Sequence, residues 1–102
     1  MKTIIRGVTS THTFSMPYIE SDIAKVVVYY RQNGKILLRR VWTSEKGDTE
    51  PITVNDKAIV VKISARESRR FMETSTVKVR IQVMGANGDV VKSNTMTAVT
   101  DN

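Results

Sequence analysis

Two runs of β-branched and aromatic residues, joined by Asn33-Gly34, dominate the hydrophobic pattern of this chain. The first run is I-A-K-V-V-V-Y-Y-R-Q, residues 23–32, and the second is K-I-L-L-R-R-V-W, residues 35–42. A two-residue type I′ turn needs a positive φ at both central positions, which Asn and Gly tolerate best. The pattern therefore predicts a β-hairpin.

Both faces of this hairpin are predicted to be largely apolar. The two-residue turn places Arg31 opposite Ile36 and Tyr30 opposite Leu37, and this register continues to Val28 opposite Arg39 and Val26 opposite Val41. One face then carries Val26, Val28, Tyr30, Leu37 and Val41. The other face carries Val27, Tyr29, Ile36, Leu38 and Trp42. A chain of 102 residues has little else with which to cover a second apolar face, so we expect that face to pack against another protein or a second copy.

Shorter alternating segments on both sides of the hairpin predict further strands. They cover residues 3–6, 9–16, 52–54, 58–63, 76–84 and 90–100. In the second of these segments Phe14 and Met16 are expected to point inward, and Pro17 should end the strand because it cannot donate to a ladder. A second Asn-Gly turn falls within residues 85–89, and its length decides whether Met96 or Thr97 faces inward.

Two further segments complete the expected fold. Residues 64–67, S-A-R-E, have the form of a helical capping box, so we expect one or two helical turns over residues 65–72 with Phe71 against a sheet edge. Residues 43–50 contain no apolar side chain and predict a mobile loop. Short strands separated by tight turns favour an all-β, antiparallel, immunoglobulin-like sandwich of about seven strands, forming one domain over residues 1–102.

The positive charge of the chain is spread evenly along the sequence. The formal net charge is +6, and no block of like charge is longer than the pairs Arg39-Arg40 and Arg69-Arg70. Such a spread is typical of a solvated surface, whereas a nucleic-acid footprint would concentrate on one face. No apolar run is long enough to cross a membrane. Arg6 and Gly7 interrupt any apolar segment at the N-terminus, so we expect no signal peptide.

The residues that usually carry catalysis are sparse. His12 is the one histidine and there is no cysteine, which excludes the usual nucleophile–base pairs and zinc sites of the N/S type. Glu45, Asp48 and Glu50 lack the spacing of a calcium loop. We therefore expect a non-enzyme with no cofactor, metal or small-molecule substrate.

Aromatic and arginine side chains on the hairpin are the best candidates for a contact surface, because these residue types are enriched at protein interfaces. The candidate interface residues are Tyr29, Arg31, Leu38, Arg40 and Trp42. Two other hypotheses stay open. Basic and aromatic side chains on a sheet could bind nucleic acid, as in a small regulatory protein, and exposed aromatic rings could bind a glycan.

Four segments of the chain resemble a known family. They are I-I-R-G-V-T-S-T-H-T-F (residues 4–14), V-V-V-Y-Y-R-Q-N-G-K-I-L-L (26–38), I-S-A-R-E-S-R-R-F (63–71) and V-K-V-R-I-Q-V-M-G-A-N-G-D-V-V-K-S (77–93). In this order they resemble small structural proteins of phages and prophages of Firmicutes, which are similar in layout to the N-terminal β-sandwich domain of phage baseplate upper proteins. The resemblance implies a tail, baseplate or other virion protein, made in the bacterial cytoplasm, that packs against itself and other virion proteins. It brings no catalytic residues.

Overall fold

The computed structural model describes residues 3–16, 20–72, 76–88 and 90–101. Its strands are β1 (Thr3–Arg6), β2 (Ser10–Ser15), β3 (Ile23–Gln32), β4 (Lys35–Thr43), β5 (Ile52–Asn55), β6 (Ala58–Ile63), β7 (Val77–Gly85) and β8 (Val90–Asp101). One short helix, α1 (Ala65–Ser68), lies between β6 and β7, and a 3₁₀ turn spans Glu20–Asp22. The expected all-β fold is confirmed, with eight strands described where about seven were predicted.

The strands form two sheets. The five-stranded sheet has the order β1-β8-β7-β3-β4, and the three-stranded sheet has the order β2-β6-β5. Neighbouring strands are antiparallel except for β1, which runs parallel to β8. The second, fifth and sixth strands thus share one sheet while the third, fourth, seventh and eighth share the other, which is the partition of an immunoglobulin-like sandwich.

One contiguous cluster of buried side chains fills the space between the sheets. The strict alternation of β7 is confirmed, because Val77, Val79, Ile81 and Val83 are all buried. From the opposite sheet, β6 contributes Ile59, Val61 and Ile63, which are at most 1% exposed. β6 and β7 therefore bury every second side chain, as strands of antiparallel sheets with one wet face do.

The Asn33-Gly34 turn is confirmed. Asn33 has a φ of 52° and Gly34 a φ of 78°, as a type I′ turn requires. Gln32 pairs with Lys35 and Arg31 with Ile36, as predicted from the turn.

The predicted register beyond the turn is wrong by one residue. Arg31 pairs with Ile36 but Tyr30 pairs with Leu38, so Leu37 of β4 is an extra residue in a bulge. Beyond the bulge, Val28 pairs with Arg40 and Val26 with Trp42. Because side chains alternate between faces, the extra residue on β4 moves Leu38 and Trp42 to the inner face and leaves Val41 on the outer one.

The helix is shorter than expected. The capping box at Ser64 and Glu67 is confirmed, since each side chain accepts a hydrogen bond from the other residue's backbone amide. α1 nevertheless ends at Ser68. The chain then turns so that Phe71 enters the core, where it is 1% exposed. The Gln32 amide group exchanges two 2.6 Å hydrogen bonds with the backbone of Met72, which holds this turn against the end of β3.

Two predictions touch residues outside the described part of the chain. The first is the predicted strand end at Pro17, a residue that lies outside the described ranges. In the second hairpin Met84 pairs with Val90, so the connection is longer than two residues, and Asp89 within it is not described. The register places Thr97 opposite Val77 and Met96 opposite Lys78.

Candidate functional site

The inner face of the central hairpin belongs to the core. Trp42 is 2% exposed and Leu38 is 4% exposed, and both lie in the cluster between the sheets. The Trp42 indole N–H donates to Oδ1 of Asp48 over 3.0 Å, and the same oxygen accepts from the Val54 amide at 3.0 Å. The loop that follows β4 is thereby anchored to β5. Burial removes Leu38 and Trp42, two of the five candidate interface residues, from the accessible surface.

Arg40 also points inward, toward β6 and α1. Its Nη2 donates to Oε1 of Glu67 and, at 3.3 Å, to the backbone oxygen of Lys62. The hydrogen bond from Arg40, together with those from Ser64, lowers the pKa of Glu67 to about 2. Arg40 and Glu67 line a cleft of about 380 Å³. This candidate interface residue therefore links β4 to α1 across the sandwich.

His12 has a structural role in the core. It is 3% exposed, and its Nδ1 lies 2.8 Å from the hydroxyl oxygen of Tyr30. Burial raises the pKa of Tyr30 well above its ordinary value. The described residues contain no group of three or more His, Cys, Asp and Glu side chains that could hold a metal ion.

The opposite face of the five-stranded sheet, which we call the outer face, is basic. It consists of the outward-pointing side chains of β3, β4 and β7 and of β8 as far as Lys92. Its ionisable side chains other than Tyr29 are Lys25, Arg31, Arg39, Lys78, Arg80 and Lys92. Within these strand segments no Asp or Glu occupies an outward position, so the outer face carries only positive charge.

Four of these cations surround Tyr29 and form what we call the basic cluster: Arg31, Arg39, Lys78 and Arg80. Arg39, Tyr29 and Arg80 lie side by side on β4, β3 and β7, and Arg31 and Lys78 form the next row. The guanidinium carbon of Arg39 lies 5.8 Å from the centre of the Tyr29 ring, within range of a cation–π contact. A depression of about 170 Å³ is lined by Tyr29, Arg31, Ile36, Arg80 and Gln82.

β4 forms one of the two edges of the same sheet. This nine-residue strand has β3 as its hydrogen-bonded neighbour and no sheet partner on its other side among the described strands. Two of its outward side chains are apolar and exposed, Ile36 at 55% and Val41 at 38%. Val27 of β3, which pairs with Val41 of β4, is only 4% exposed although it points outward. The exposed apolar surface of the hairpin is thus concentrated along its edge.

Of the candidate interface residues, Tyr29 and Arg31 lie together on the outer face. Arg39, Lys78 and Arg80, which share this face with them, were not among the candidates. The alternation of Lys78 and Arg80 with the apolar residues Val77, Val79 and Ile81 marks them as outward-pointing. The sequence contains no signal that β7 pairs with β3. Only that pairing places Arg80 beside Tyr29 and Lys78 beside Arg31.

Comparisons with known proteins do not extend this description: no protein-family model matches the chain, and a search of curated proteins also found no match. No helix among the described residues is long and apolar enough to span a membrane.

Proposed function

We propose that this protein is a non-enzymatic structural component of a phage or prophage virion, and that it assembles by packing β4 against a second copy or a neighbouring virion protein. The assignment to a virion rests on the resemblance to small phage structural proteins. The mode of packing rests on one observation, the long open edge of β4 with exposed Ile36 and Val41. In this proposal the protein is made in the bacterial cytoplasm and ends up in the virion.

The geometry of β4 supports edge pairing. An edge strand presents a row of backbone N–H and C=O groups that a second strand can pair with. β4 is longer than the other edge strands, since β1 and β5 have four residues each and β2 has six. Burial of Ile36 and Val41 alongside a paired strand would contribute a free energy of about 25 cal/mol per Å² of apolar surface buried, before the costs of association.

The outer face itself is a poor surface for pairing two copies face to face. Every ionisable side chain at its described outward positions except Tyr29 is a cation, so stacking two such faces would bring like charges together. Pairing edge to edge instead joins two sheets side by side and keeps both basic faces in solvent. The proposal therefore assigns self-association to the edge of β4.

Light scattering over a series of protein concentrations tests the proposal. We expect the wild-type molar mass to rise above that of the 11.5 kDa monomer, and the variant Ile36→Lys/Val41→Lys to stay monomeric, because lysine on an edge strand opposes pairing. The matched control is Val90→Lys/Val91→Lys, which adds the same charge at two exposed apolar positions on β8, separated from β4 by β7 and β3, and should assemble like the wild type. A wild-type protein that stays monomeric throughout contradicts the proposal, as does equal loss of assembly in both variants.

A further inference from the structure

We propose that the outer face binds single-stranded nucleic acid, with Tyr29 stacking on a base and the basic cluster contacting phosphates. This activity goes beyond the proposed assembly function, because it uses the broad outer face, whereas β4 would pair through the backbone groups of its edge. The observation that carries it is the placement of Arg31, Arg39, Lys78 and Arg80 around one tyrosine ring.

The cations of the cluster lie close enough together to favour the binding of an anion. Adjacent strands are about 4.8 Å apart, and alternate residues of a strand are about 6.8 Å apart, so the Cβ atoms of the cluster fit within roughly 12 Å. Several of these separations are shorter than the screening length of about 8 Å at physiological salt. Like charges on neighbouring strands are unfavourable, and no carboxylate at the described outward positions offsets them. A chain of phosphates is the complementary ligand.

Tyr29 adds a surface that a simple charge patch lacks. It is partly exposed, lies in the row between Arg39 and Arg80, and borders the 170 Å³ depression together with Arg31. Proteins that bind single strands without sequence preference combine a basic track with aromatic rings on which bases stack, and arginine beside the ring strengthens the contact. The row Arg39–Tyr29–Arg80 has this composition.

The same geometry argues against two other partners. A duplex is usually recognised by an element that enters a groove, whereas this surface is the broad face of a sheet, suited to unstacked bases. The centre of a protein–protein interface is depleted of charged residues and especially of lysine. Here the charges occupy the centre and the exposed aliphatic residues Ile36 and Val41 lie on the edge strand. Single-stranded nucleic acid therefore fits this face better than a duplex or an acidic protein.

Fluorescence anisotropy with labelled 20-nucleotide oligothymidine and oligouridine tests the proposal between about 50 and about 200 mM salt. For four phosphate contacts we expect log affinity to fall with log salt at a slope of about −3. The variant Arg39→Gln/Lys78→Gln should lose roughly tenfold or more in affinity and flatten the slope by about 1.4, since two contacts are removed. The control Arg66→Gln/Arg70→Gln removes the same charge from exposed residues in and just after α1 and should bind nearly as the wild type does.

Substitution of the tyrosine separates stacking from charge. Tyr29→Ala should weaken binding about tenfold with the salt slope unchanged, and Tyr29→Phe should retain affinity, because the ring is what stacks. Thermal unfolding of every variant confirms that the sandwich is intact. The proposal is overturned by an absence of binding at the lowest salt, by tighter binding of a 20-base-pair duplex, by equal competition from poly-glutamate, or by an equal loss in the control variant.

Discussion

Arg39 and Arg40 are consecutive residues of β4 that serve opposite sides of the same sheet. Arg39 points outward, is exposed and lies beside the ring of Tyr29. Arg40 points inward, where the carboxylate of Glu67 and the backbone of Lys62 hold its guanidinium group. The first arginine is available to a partner, while the second contributes to the fold. Identical side chains thus differ in role because the strand alternates.

The ion pair of Arg40 predicts a pH dependence of stability. The pKa of Glu67 is lowered from 4.5 to about 2 in the folded protein, so its contribution is present above about pH 4.5 and is lost as pH falls toward 2. We expect the urea midpoint of the wild type to exceed that of Glu67→Gln at pH 7 and the gap to close by about pH 2.

Urea unfolding at a series of pH values measures this gap. Glu50→Gln is the control, because Glu50 pairs with Lys62 at 3.3 Å but its side chain is 85% exposed, and such exposed pairs contribute little to stability. A gap between wild type and Glu67→Gln that stays constant from pH 7 to pH 2 would show that the charge of Glu67 does not matter.

The hairpin depends on a turn whose backbone needs φ > 0. Gly34 has a φ of 78°, and nothing lies within 4 Å of the position that a Cβ would take. A substitution here therefore changes the backbone preference without creating a clash. The turn sets where β3 and β4 meet, and the bulge after it decides which face each side chain of β4 occupies.

Gly34→Ala should lower the free energy of unfolding by about 1 kcal/mol, because alanine disfavours the left-handed region. Gly34→Asn should cost less, since asparagine tolerates that region better. Chemical denaturation of the two variants beside the wild type measures both effects. Equal stability of the alanine variant and the wild type would mean that the turn can change its conformation freely.

The turn residues and the alternation of β7 were predictable because both depend on local chemistry. The positions of Trp42 and Leu38 were not, because both faces of the predicted hairpin were apolar and a one-residue bulge decides between them. The basic cluster was only half predictable: Tyr29 and Arg31 were candidates, whereas Lys78 and Arg80 join them through a pairing of strands that are far apart in the sequence.

The whole molecule hides more apolar surface than its sequence suggests. The three-stranded sheet covers the inner face of the hairpin, and Val27 is buried even on the outer face. What remains exposed on the hairpin is confined to Ile36 and Val41 at the edge of β4, beside a basic face. Because the exposed apolar residues lie on the edge strand and the cations lie on the face, we expect two activities: association along the edge of β4 and binding of an anionic chain on the outer face.

Hydrogen exchange of the β4 amides in dilute and in concentrated solution tests the edge-pairing claim most directly. If copies pair through this strand, the amides within Lys35–Thr43 that do not bond to β3 become protected as concentration rises. Those of β5 (Ile52–Asn55), an edge strand of the other sheet, should exchange equally fast at both concentrations. Exchange in β4 that is independent of concentration, or protection that appears in β5 instead, would contradict the claim.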